Sequence, residues 1–230
     1  MGDADRVGNL QRLIAFDLDG TLIDSRRDLT DSANQLIVEL GGAPLSEAAV
    51  GLMVGEGARL LVQRALTAAG LGDPLGALER FLVIYDERLL VHTRMYDGVP
   101  AALEAAREVA QLSLLTNKPL APTVRILHAL GIENFFGSII GGDSAFPRKP
   151  DPASLFEQIH LASSSPRQAL LVGDSAIDRE TARRAGVRCC LVRYGFGHVT
   201  LPNGVQAGDG WIVDHAGELP DVFSQFAELG

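Results

Sequence analysis

The stretch Leu13-Ile14-Ala15-Phe16-Asp17-Leu18-Asp19-Gly20-Thr21-Leu22 decides the fold. A short apolar run leads into Asp-Gly, the pattern of a buried strand that stops at a turn. On an extended chain Asp17 and Asp19 point to the same side, and Leu18 points back into the fold. Two like charges so close are costly unless a cation or a shared proton relieves them. Gly20 lets the chain leave the sheet in a tight turn.

Similar apolar runs recur downstream. Residues 111–116, 169–173 and 188–193 read as strands, 138–141 as a shorter one and 211–213 as a last one. Between them, residues 99–110, 121–130, 151–162 and 177–185 carry apolar positions three and four apart, which predicts helices. Buried strands alternating with helices predict an α/β fold, a parallel sheet covered on both faces. Residues 25–94 break the alternation. They show three helical stripes, running through Leu29, Leu36 and Ile37, through Leu61, Val62 and Leu66, and through Phe81, Tyr85 and Leu89. Ser46 is placed to cap a short helix between the first two. A helical insert directly after the first strand can lie over the carboxyl ends of the sheet, where ligands bind in such folds.

Composition narrows the function. The chain has 230 residues, 47% apolar and 21% charged, which suits a globular protein of one large domain or a core with an insert. No apolar run reaches the roughly 18 residues of a membrane span, and the start lacks the pattern of a signal peptide, so a cytoplasmic location is expected. A net charge of −9 argues against nucleic acid and anionic membranes as partners. The two cysteines, Cys189 and Cys190, are adjacent on a predicted strand and so point to opposite faces; they read as reduced core thiols. The only lysines are Lys118 and Lys149, in a chain otherwise dependent on arginine. The five histidines, at 92, 128, 160, 198 and 215, lack metal-ligand spacing and read as structural. Oligomeric state leaves no sequence signal.

Three further segments carry chemistry. Leu114-Leu115-Thr116-Asn117-Lys118 ends a strand in a hydroxyl and an amide, groups that with the next backbone N–H can hold phosphate oxygens. In Arg148-Lys149-Pro150-Asp151-Pro152 the prolines fix the backbone, and Asp151 can cap the following helix. Val172-Gly173-Asp174-Ser175-Ala176-Ile177-Asp178 ends a strand in one carboxylate and opens a helix with another, hard ligands of the kind that suit Mg²⁺.

With these four segments in this order, the chain resembles the haloacid-dehalogenase-like hydrolases, in particular their phosphatase branch. The resemblance implies a Rossmann-like core, residues 1–24 and 95–230, and a small all-helical cap, residues 25–94. It implies a Mg²⁺-dependent hydrolysis of a small phosphorylated metabolite through a phospho-aspartate. Asp17 is then the nucleophile and Asp19 the acid and base. Thr116, Asn117 and Lys149 bind phosphate, and Asp17, Asp19 (through its carbonyl) and Asp174 bind the metal. Asp178 is a nearby carboxylate that supports the site. Val54-Gly55-Glu56-Gly57-Ala58, His92-Thr93-Arg94-Met95-Tyr96-Asp97-Gly98-Val99 and Gly141-Gly142-Asp143-Ser144 look like phosphoglycolate phosphatase segments, which implies cleavage of 2-phosphoglycolate to glycolate and phosphate. Glu56 departs from the Asn often found there and would put an acid toward an anionic substrate if it pointed inward. Asp19 argues against a dehalogenase, and the lack of lysine in residues 25–94 argues against a phosphonate-cleaving relative. A phosphatase of another sugar phosphate or of a nucleotide, a phosphosugar mutase, and a non-catalytic binding protein stay open.

Overall fold

The computed structural model describes residues 11–197 and 210–229. The start of the chain, through residue 10, lies outside them, as does His198. A six-stranded sheet carries the chain: β1 (Leu13–Phe16), β4 (Gln111–Leu115), β5 (Ser138–Ile140), β6 (Ala169–Gly173), β7 (Arg188–Val192) and β8 (Gly210–Val213), in the order β5-β4-β1-β6-β7-β8. Every neighbouring pair is parallel. β4, β5 and β7 each end one residue before the sequence reading and β8 begins one residue earlier, but the ladder continues past β4, where the Thr116 N–H still donates to the Ile140 carbonyl at 3.1 Å.

Period-two alternation builds a core on each face of this sheet. Ile14, Phe16, Leu170, Val172 and Cys190 pack on one side with α5 (Val99–Val109), α6 (Leu120–Ala129) and α9 (Leu219–Glu228). Leu13, Ala15, Leu171 and Cys189 pack on the other with α7 (Ala153–Leu161) and α8 (Ala176–Ala185). The two cysteines are buried, free and on opposite faces, as their adjacency predicts. Phe223 of α9 meets Phe16 edge-to-face with ring centroids 5.9 Å apart, so the final helix seals the strand that bears Asp17.

The stretch between the first strand and α5 is helical apart from a short ribbon. Strand β2 (Ile23–Asp24) leaves the sheet and pairs antiparallel with β3 (Arg94–Met95). Between them lie α1 (Arg26–Glu39), α2 (Glu47–Gly51), α3 (Ala58–Ala68) and α4 (Ala77–Arg88). Ser46 caps α2, its hydroxyl accepting from the Ala49 N–H at 3.2 Å. Asp28, buried in α1, fastens the returning chain: its carboxylate accepts from the N–H groups of His92 and Thr93 and from the Thr93 hydroxyl. No helix of the described residues is long and apolar enough to cross a membrane.

Candidate active site

The strand order explains the site. β4, β1 and β6 are neighbours, so the residues that leave their carboxyl ends, Thr116, Asp17 and Asp174, come together. The Asp17 N–H donates to the Val172 carbonyl at 2.9 Å, which ties the first acid to the strand that delivers the third. All three side chains are buried. Lys149 arrives from the loop between β5 and α7. Its ammonium lies 2.9 Å from Asp17 Oδ1 and 2.6 Å from Asp178 Oδ1.

Asp178 is fixed from two directions. Its carboxylate accepts from the Ser175 N–H at 3.1 Å and from the Ser175 hydroxyl, while that hydroxyl accepts from the Asp178 N–H, a reciprocal capping box at the start of α8. Asp178 is therefore both a helix cap and a charge partner of Lys149. Asp151 does not itself occupy the cap position of α7, which is Pro152, but from one residue earlier its carboxylate accepts from the Ala153 N–H at 2.9 Å.

Asp174 is held by backbone. Its Oδ2 accepts from the N–H groups of Phe196 at 2.7 Å and Gly197 at 2.9 Å. The sequence gives Phe196 and Gly197 no functional signal, because main-chain donors have no side-chain signature. The signal was steric: a Cβ on Gly195 would fall 2.5 Å from Asp174 Oδ2, and one on Gly20 would fall 2.2 Å from it. The Gly195-Phe196-Gly197 segment can approach the carboxylate only because no side chain intervenes.

Asp17, Asp174 and Asp178 each offer an oxygen within 4.8 Å of the others. One ammonium, that of Lys149, pairs with two of these three carboxylates, Asp17 and Asp178. Burial, followed by the charge of Asp178, raises Asp17 to about 6 against the pull of Lys149. Burial, then Asp178 and Asp17, raises Asp174 to about 7 despite its two backbone donors. Burial works against charge on Lys149, but Asp17 and Asp178 outweigh it and hold the lysine well above its ordinary value. The cluster carries surplus negative charge in a setting of hard oxygen donors, and the residues fit a divalent cation.

Asp19 stands apart from this group. Its carboxylate accepts from the Ser25 hydroxyl and from the Lys118 ammonium, which lies 3.1 Å from both oxygens. The same ammonium donates to the Tyr85 hydroxyl of α4 at 2.6 Å. Asn117 spends its amide donors on the carbonyls of Gly55 at 2.9 Å and Lys149 at 3.0 Å, so it ties the helical segment to the lysine loop. Its Oδ1 is buried without a partner among the described residues. Lys118 was conspicuous by rarity alone; Tyr85 and Ser25 gave no sequence signal of a role.

A cavity of about 50 Å³ lies between the helical segment and the sheet ends. Asp17, Asp19, Thr116 and Lys118 form its polar floor, and Leu61 and Phe81 belong to its apolar wall. That space suits a ligand of only a few heavy atoms. Glu56 does not line it. Its carboxylate pairs instead with Arg64, so the acid that departs from the motif is neutralised away from the pocket.

Comparison with known proteins converges on one group. A family model for haloacid dehalogenase-like hydrolases matches residues 14–192. A phosphoglycolate phosphatase of Rhodospirillum rubrum is 42% identical over 230 residues, covering 96% of this chain and 90% of that one. One from Pseudomonas putida is 42% identical over 198 residues, 83% of this chain and 72% of that one. The crystal structure of a predicted phosphoglycolate phosphatase from Haemophilus somnus superposes with a TM-score of 0.84 at 32% identity, covering 92% of this chain and 97% of that one.

Proposed function

The chain belongs to the haloacid dehalogenase-like hydrolase family, and on that footing we propose that it is a Mg²⁺-dependent phosphatase that cleaves 2-phosphoglycolate to glycolate and phosphate. The observation that carries the chemistry is the convergence of Asp17 and Asp174, at the ends of the adjacent strands β1 and β6, with Lys149 from the loop between β5 and α7, all three of them buried. The substrate rests on the relatives, which are about 40% identical over most of their length, and on the small cavity.

In this reading the helical segment 25–94 is a cap over a core formed by residues 1–24 and 95–230. Asp17, Asp174 and the main-chain carbonyl of Asp19 would hold the metal ion, which when bound screens the phosphate's charge from the nucleophile. Asp17 attacks phosphorus in line, the P–O ester bond breaks, and Asp19 delivers a proton to the departing alkoxide. Water then attacks phosphorus and gives its proton to Asp19, and the P–O bond to Asp17 breaks, which releases inorganic phosphate and restores the Asp17 carboxylate. Lys149 offsets charge on the phosphoryl oxygens, and Thr116 with the backbone near Asn117 holds the rest. Asp178 keeps Lys149 in position. The apolar wall excludes bulk water while the phospho-aspartate exists.

The test is phosphate release from 2-phosphoglycolate beside sugar phosphates, nucleotides and p-nitrophenyl phosphate, with Mg²⁺, with chelator, and with Asp17→Asn. The reading expects 2-phosphoglycolate to lead the panel, and chelator and mutation each to abolish turnover. Another ester in the lead with the same dependences overturns the substrate and keeps the chemistry. No turnover in folded, Mg²⁺-loaded protein sinks both.

A further inference from the structure

The site contains two buried lysines, and the proposed mechanism uses one. Lys149 stands with the nucleophile. Lys118 is 7% exposed, an ammonium taken out of water at considerable cost, and its partners are Asp19 and Tyr85. Among the residues that line the cavity it is the one cation.

Its two contacts differ in quality. The bond to Tyr85 is short, 2.6 Å, while both approaches to Asp19 are 3.1 Å. Charge-assisted N–H to carboxylate bonds usually run about 2.7–2.9 Å, and Lys149 meets its acids at 2.9 and 2.6 Å. Lys118 is therefore anchored by the tyrosine and shared loosely across the two oxygens of Asp19. Burial pushes the Tyr85 hydroxyl up to about 12, so it stays protonated. Accepting from Lys118 leaves its own hydrogen to donate. The Lys118 ammonium and the Tyr85 hydroxyl that it meets thus line the same cavity as Asp19.

The chemistry of the leaving group decides what they are for. Asp19 must reach the ester oxygen. In 2-phosphoglycolate the carboxylate begins two bonds from that oxygen, so it arrives beside whatever surrounds Asp19. We propose that Lys118, anchored by Tyr85, selects substrates that carry a carboxylate on the carbon bearing the phosphate ester, by trading its loose contact with Asp19 for that carboxylate. The inference rests on the phosphatase reading above. Phe81, stacked on Tyr85 with ring centroids 5.9 Å apart, fixes the tyrosine ring and so the anchor.

The experiment compares kcat/KM for 2-phosphoglycolate with that for 2-hydroxyethyl phosphate, in which a neutral CH₂OH replaces the carboxylate. Wild-type protein should prefer the acid by about 100-fold or more. In Lys118→Met the ratio should fall to within about tenfold of unity, whatever happens to the absolute rates. In Tyr85→Phe, which keeps the lysine, it should fall several-fold through KM. A ratio that survives in Lys118→Met overturns the proposal, because a merely structural lysine would depress both substrates together. If Lys118→Met does not fold, an unchanged ratio in Tyr85→Phe overturns it. Equal wild-type rates on both esters, with dependence on Mg²⁺ and Asp17 intact, overturn the selector and spare the phosphatase. Release from neither ester by folded wild-type protein removes the underlying reading and the selector with it.

Discussion

The Lys149 ammonium lies 2.9 Å from Oδ1 of Asp17, and both groups are buried. The same ammonium reaches Asp178, so one cation balances two carboxylates on two different elements. Lys149→Met would leave both acids without a counter-charge in a low-dielectric setting. It should destabilise the fold by roughly 3–5 kcal/mol and lower kcat by about 10²–10³-fold. Lys149→Arg should not restore turnover, since a planar guanidinium cannot occupy the place of a compact ammonium. Denaturant melts and steady-state rates check both. A Lys149→Met protein as stable as wild type would mean that the acids find compensation elsewhere.

Stability in chelator should fall as pH rises. Asp17 and Asp174 are raised to about 6 and about 7 from the ordinary carboxylate value of 3.8. Between those limits the folded chain binds more protons than the unfolded one, so unfolding free energy decreases with pH. The contribution is fully present below about pH 4 and is lost as pH passes through about 6 to 7. A melting temperature followed from pH 5 to pH 8 in chelator should decline, and saturating Mg²⁺ should flatten the decline. A rising curve in chelator would show that the cluster is not crowded with charge.

How much of this could be read from the residues alone depended on where the information lay. Apolar runs announced β1, β4, β6 and β7 because burial on both faces writes hydrophobicity into every position. Asp17, Asp174 and Lys149 were legible because each follows such a run or a proline-fixed turn. The β2–β3 ribbon was not, since two residues per strand show no periodicity. The clamp on Asp174 uses main-chain N–H groups, and Tyr85 reaches Lys118 across 33 positions of chain, a pairing that only the folded packing of α4 brings about. Asn117 was expected to address phosphate, whereas its amide holds Gly55 and the Lys149 carbonyl.

Gly195→Ala should weaken the metal site with little change elsewhere. The new methyl would fall 2.5 Å from Asp174 Oδ2 and 2.2 Å from the Gly20 carbonyl oxygen, so the carboxylate and the segment that clamps it must part. The Mg²⁺ concentration for half-maximal activity should rise by about 10–100-fold. Gly72→Ala, where a Cβ meets nothing within 4 Å, serves as the control. An unchanged Mg²⁺ requirement in Gly195→Ala would mean that Asp174 does not depend on this clamp.

Asp17→Asn should abolish turnover and, in chelator, stabilise the protein. The amide keeps the shape of the side chain and removes one of three clustered charges, leaving Lys149 and Asp178 as a matched pair at 2.6 Å. Active sites commonly hold such electrostatic strain, and its relief by an inactivating mutation is the expected trade of function for stability. At pH 8 in chelator the melting temperature should rise by several degrees, and the decline between pH 5 and pH 8 should become shallower, because one raised carboxyl has gone. Saturating Mg²⁺ should narrow the gap, since the ion relieves in wild type what the mutation relieves by deletion. A melting temperature that drops in Asp17→Asn would reverse the argument: the Asp17–Lys149 contact would then outweigh the repulsion among the acids, and the site would be stable as a closed ion-pair network in no need of a cation.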